Sequence, residues 1–112
     1  MGVLKKGPKA AEALDAAAQL HRTGQFAEAE QAYRRVLETA PDLAEAVYLL
    51  GVVTRQLGRP NEAMVLFRRA VSIQPDLVTA LAELAKLYQE QGLLEESAKA
   101  LCRLITLRPD LG

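Results

Sequence analysis

The sequence is poor in the residues that carry chemistry. It holds one cysteine (Cys102), one histidine (His21), no tryptophan and only two serines, Ser72 and Ser97. A single cysteine excludes an internal disulfide and any zinc site built on several thiolates, and it permits a reducing compartment. No nucleophile and base come together by spacing. His21 stands early in the chain and Cys102 late, with the serines on other segments, so no triad or dyad can be assembled. The chain is therefore expected to have no catalytic residues, no metal and no cofactor, and not to be an enzyme.

Charge of either sign is not in excess. Fourteen basic residues balance fourteen acidic ones. Nucleic-acid binding, whose affinity comes mostly from neutralising phosphates, is not expected. Long apolar runs are missing as well. The longest, Ala46 to Thr54, is about half of the ~20 residues that a membrane-spanning helix requires, so no membrane segment is expected. Residues 1–9 have charge but no apolar core of secretory length, and Lys6 stands where a myristoylation signal wants Ser or Thr. They read as a flexible basic leader of a cytoplasmic protein.

What the sequence does have is a helical composition and a period. Half of its residues are hydrophobic and 4% aromatic, with Ala, Leu, Glu and Arg recurring throughout. The triplet Pro-Asp-Leu begins at Pro41, Pro75 and Pro109, and the same spacing of 34 separates Gly24, Gly58 and Gly92, then Glu28, Glu62 and Glu96, then Arg35, Arg69 and Arg103. The register is 10–43, 44–77 and 78–111.

Each unit splits at its glycine into two amphipathic segments, such as Ala44–Leu57 and Pro60–Ile73. Gly58 can take the positive φ that ends one helix, and Pro60 suits the first turn of the next. Pro75 closes the second segment. Asp76 can cap the following helix, and Asp42 with Glu45 forms a capping-box-like pair before the third. Small residues, Ala17, Gly51 and Ala85 on first segments and Ala29, Ala63 and Ser97 on second ones, allow close approach within each hairpin. The Glu and Arg columns complement the dipole of their own helix on a solvated face.

These features resemble the tetratricopeptide-repeat family, whose 34-residue unit carries small residues at its eighth and twentieth positions and proline at its thirty-second. The resemblance covers residues 10–111. It implies an all-α fold of six helices, a right-handed superhelical array of antiparallel helix pairs. The family's large aromatic at position four is replaced by Ala13, Val47 and Leu81. The stretch Tyr48–Val71 also resembles bacterial repeats that precede sulfotransferase or peptide glycosyltransferase domains.

The resemblance implies a protein-interaction scaffold that binds a peptide or a partner domain in the groove lined by first helices. The candidate groove residues are Leu14, Ala18, Tyr48, Leu49, Val52, Arg55 and Lys86. The competing reading is that Tyr48, Leu49 and Val52 merely pack between first helices. His21 is expected on the exposed groove side. The Lys and Asn positions of the carboxylate-clamping subgroup hold Leu14, Ala18, Leu49, Thr79 and Glu83, so that clamp is not expected.

The two ends of the array differ. Positions three and ten, which touch a preceding unit, are Ala46 and Val53, then Ala80 and Leu87, but Glu12 and Gln19 in the first unit, which reads as an end. The last segment places Leu94, Ala98, Leu101, Leu104 and Ile105 where a fourth unit would stack. Either this is the N-terminal piece of a longer protein, whose following domain covers them, or a second copy covers them in a homodimer; the likeness to repeats that precede transferase domains implies a further reading, a substrate-docking module of a larger transferase.

Overall fold

The computed structural model describes residues 6–108, and these form six α-helices: α1 Lys6–Arg22, α2 Phe26–Thr39, α3 Ala44–Gln56, α4 Pro60–Ile73, α5 Val78–Glu90 and α6 Leu94–Leu107. The helices pack as three hairpins, α1 with α2, α3 with α4 and α5 with α6, and each second helix then packs on the first helix of the next pair. The result is a stack of helix pairs extending over 50 × 28 × 21 Å. The third Pro-Asp-Leu triplet lies outside the described residues.

Helix α1 begins at Lys6, four residues ahead of the first unit. Residues 6–9 of the expected leader are thus helical, and only 1–5 lie outside the described residues. Pro8 does not prevent this, because it falls in the first turn, where a helix needs no N–H from it.

The turn inside each hairpin is set by glycine. Gly24, Gly58 and Gly92 have φ of 82°, 87° and 78°. In each case the glycine N–H bonds back three residues and the next N–H bonds back five, as in Gly58 to Arg55 (2.9 Å) and Arg59 to Thr54 (3.1 Å). This satisfies the last carbonyls of the first helix and reverses the chain in two residues.

Between units the chain turns differently from expectation. Leu43 and Leu77, not the aspartates, are the N-cap residues of α3 and α5, and neither helix has a side-chain cap. Asp42 lies one residue outside the cap. The N–H a capping side chain would take at Ala46 is already held by the Leu43 carbonyl at 3.0 Å.

Small residues bring the hairpin backbones together. Ala17, Ala29 and Ala63 are fully buried, and Ser97, also buried, donates from Oγ to the Ala85 carbonyl at 3.2 Å. Gly51 is the tightest of these positions. A Cβ there would stand 2.7 Å from the Phe67 ring. Ala46, Val53, Ala80 and Leu87 are all fully buried at the junctions, whereas Glu12 and Gln19 are exposed.

Candidate functional site

Two surfaces follow from this stacking: the groove side formed by α1, α3 and α5, and the outward face of α6. On the groove side, Leu14, Ala18, Tyr48, Leu49, Val52 and Arg55 are half-buried and Lys86 is exposed. Tyr48 and Val52 lean on the larger core cluster, Leu14 and Leu49 on the smaller one. The Tyr48 ring tilts against Phe67 with centroids 5.8 Å apart. Burial raises the Tyr48 hydroxyl pKa above its usual range, and the charge of Glu83 adds to this.

The groove cations are engaged. Arg55 Nη1 pairs with Glu83, Arg55 Nη2 lies 3.4 Å from Glu90, and Lys86 Nζ lies 4.0 Å from Glu83. Position twelve of one unit thus meets position thirteen of the next. His21 obeys the same geometry and corrects the expectation of an exposed histidine. Its Nε2 lies 2.6 Å from Gln56 Oε1 and its Nδ1 3.2 Å from the buried Tyr33 hydroxyl. Phe26 and Tyr33 pack edge-on to its ring. It is drawn inward because both flanking helices offer polar partners at that depth.

On the opposite side the first junction contains an ion-pair network that the sequence reading missed. Glu30 is 6% exposed. Arg59 reaches its two oxygens at 3.0 Å each, and Arg34 reaches it at 2.8 Å and Glu62 at 3.1 Å. Arg59, and then Arg34, hold the Glu30 carboxyl below its usual pKa although burial works the other way. The arginine column also does more than complement its helix: Arg69 donates to the Pro41 carbonyl at 2.9 Å and Arg103 to the Pro75 carbonyl at 3.1 Å. Each staples a second helix to the preceding inter-unit turn.

The outward face of α6 is apolar and open. Leu94, Leu101 and Ile105 are 68%, 45% and 54% exposed, with Leu93 and Leu107 beside them. Ala98 is exposed as well. Leu104 does not belong to this face. It is 8% exposed and part of the core, because one residue's rotation from Ile105, about 100° around the helix, turns it toward α5. Its equivalents Val36 and Ala70 are buried in the same way. The positions equivalent to Leu101 hold Tyr33 and Phe67, both fully buried. Ile105 aligns with half-buried Leu37 and buried Val71, so Leu101 and Ile105 occupy positions that α2 and α4 keep covered or half-covered, whereas Leu94 aligns with half-buried Phe26 and exposed Pro60.

Among the described residues, no group of three or more metal-binding side chains gathers, and no helix is long and apolar enough to cross a membrane.

The tetratricopeptide-repeat family matches this sequence twice, over residues 20–78 and over residues 54–110. No curated protein sequence matches it significantly. Among solved structures, MamA superposes with a TM-score of 0.85 at 21% identity, covering 90% of this chain and 59% of that one. The Thermobaculum terrenum O-GlcNAc transferase (mutant K341M) superposes with a TM-score of 0.86 at 30% identity, covering 96% of this chain but 21% of the transferase. The second TPR of Spaghetti, solved bound to an HSP90 peptide, gives 0.82 at 16% identity, covering 88% and 92%. This chain thus spans about three fifths of the first of these proteins and about one fifth of the second.

Proposed function

We propose that this chain, which belongs to the tetratricopeptide-repeat family, is a protein-interaction module whose principal docking surface is the open face of α6. The observation that carries this reading is the exposure of Leu101 and Ile105 at positions that are buried or half-buried in α2 and α4, with exposed Leu94 beside them. Each is already partly covered, so covering the rest is worth roughly half of the ~1.5–3 kcal/mol that burying a whole apolar side chain brings. The surface suits a helix with small or apolar residues spaced as Ala46 and Val53 are in α3. Tyr48, Leu49 and Val52 of the groove serve as a secondary contact, since they are half-buried in the chain itself.

The test is capture of partners from source-cell lysate by the purified protein and two variants. Leu101→Glu with Ile105→Glu loses the captured partner by at least tenfold, while Tyr48→Ala with Val52→Ala keeps most of it. The reverse ranking moves the function to the groove. Light scattering on the isolated protein shows whether a second copy is the occupant.

A second reading has its own support. The likeness to the Thermobaculum terrenum transferase spans almost all of this chain, which favours a substrate-docking arm whose chemistry lies in a separate catalytic domain. A transferase domain encoded downstream of codon 112 in the source gene supports it, and an unrelated reading frame there removes it.

A further inference from the structure

On the side of the stack away from the groove, a crevice of about 410 Å³ runs between α4 and α6, floored by Leu81, Leu84 and Tyr88 of α5. Its walls carry Val71 and Ala100, and its rim carries Arg68, Lys99 and Arg103 against a single acid, Glu96. Arg68 and Lys99 make no ion pair or hydrogen bond among the described residues, and Arg103 is bonded only to the neutral Pro75 carbonyl.

The equivalent crevice between α2 and α4 has neither property. Leu66 stands where the later crevice has Ala100, and Leu37 where it has Val71, so the cavity shrinks to about 270 Å³. Arg34, the equivalent of Arg68, is paired with Glu30 and Glu62. One of those acids has no equivalent near Arg68, because Met64 replaces Glu30 in α4. The second crevice is thus both emptier and uncompensated in charge.

We propose that this crevice binds a short acidic segment of a partner protein, which sets one bulky apolar side chain between Val71 and Ala100 and lays carboxylates along Arg68, Lys99 and Arg103. The cations are spread over two 14-residue helices, with Lys99 and Arg103 one turn apart. A chain carrying several carboxylates can meet all three. The site lies on the opposite side from the groove and is separate from the open face of α6.

The probe is a fluorescein-labelled decapeptide with one central phenylalanine flanked by aspartates and glutamates, measured by polarisation at low and physiological salt. Arg68→Glu with Lys99→Glu weakens binding at least tenfold, and added salt weakens it for the unmodified protein. Ala100→Leu fills the cavity with the residue the earlier crevice holds at that position, and it also weakens binding at least tenfold. Circular dichroism verifies that both variants remain helical, and Ile105→Glu, on the other face, binds as the parent does. No binding by the parent, or equal binding by the charge-reversed and filled variants, overturns the proposal. So does octanoate displacing the peptide at equal concentration, which would make the occupant a free amphiphile.

Discussion

Helices α4 and α6 occupy the same place in successive units and have similar apolar periodicity, yet they solve opposite problems. Helix α4 is covered on both sides, by α3 within its hairpin and by α5 beyond it, and its central aromatic Phe67 is fully buried against Gly51. Among the described residues helix α6 packs chiefly on α5, and Leu101, at the position of Phe67, is 45% exposed. The same residue class is core in one unit and surface in the next. In a stacked array, burial is a property of the neighbour, not of the residue.

The largest expected effect breaks this comparison directly. Phe67→Ala removes a fully buried ring and costs about 3–5 kcal/mol, whereas Leu101→Ala, at the equivalent position, costs under about 1 kcal/mol. Urea unfolding of the two variants checks it. Comparable losses would mean that α6 is covered in solution by something the isolated fold does not provide, such as a second copy.

A smaller effect separates the same helices by charge. Position twenty-one of the three units holds Glu30, Met64 and Ala98. The Glu30 carboxyl is held below its usual pKa by Arg59 and Arg34. A lowered carboxyl stabilises the fold above its unfolded-state pKa, about 4.3, and that stability is lost as pH falls through the folded value. Glu30→Met, which copies α4 into α2, should leave stability at pH 7 within about 1 kcal/mol of the parent, because Arg34 and Arg59 are each 43% exposed to water and keep Glu62 as a partner. It should also flatten the fall in melting temperature below pH 4.5. Parallel melting curves from pH 5 to pH 2.5 would mean that the network contributes nothing.

Much of this was legible in the sequence. The period located all six helices, the three glycines marked the turns, and the apolar Ala46 and Val53 marked a junction where the polar Glu12 and Gln19 stay exposed. The open face was legible too, apart from Leu104. That error came from grouping residues by helix side without the roughly 100° step that separates Leu104 from Ile105. Other features depended on contacts between units. Glu30 is buried only because Arg59, 29 residues later, arrives beside it, and His21 is drawn inward by Gln56, 35 residues away. The arginine staples to Pro41 and Pro75 escaped notice for the same reason: a backbone carbonyl leaves no signature in a list of side chains. The capping error was local, since Asp42 lies one residue before the position at which a cap works.

If α6 presents an unfilled stacking surface, a further repeat placed on it should stabilise the fold. The most direct measurement is the thermal unfolding of residues 1–111 extended by a second copy of residues 78–111, which supplies a helix with Ala80 and Leu87 in the required register. The expected melting temperature is higher than the parent's by at least roughly 5 °C, with no rise when Leu101→Glu and Ile105→Glu are placed in the original α6. An extended chain that melts with the parent, or one whose gain survives those substitutions, would contradict that reading of α6.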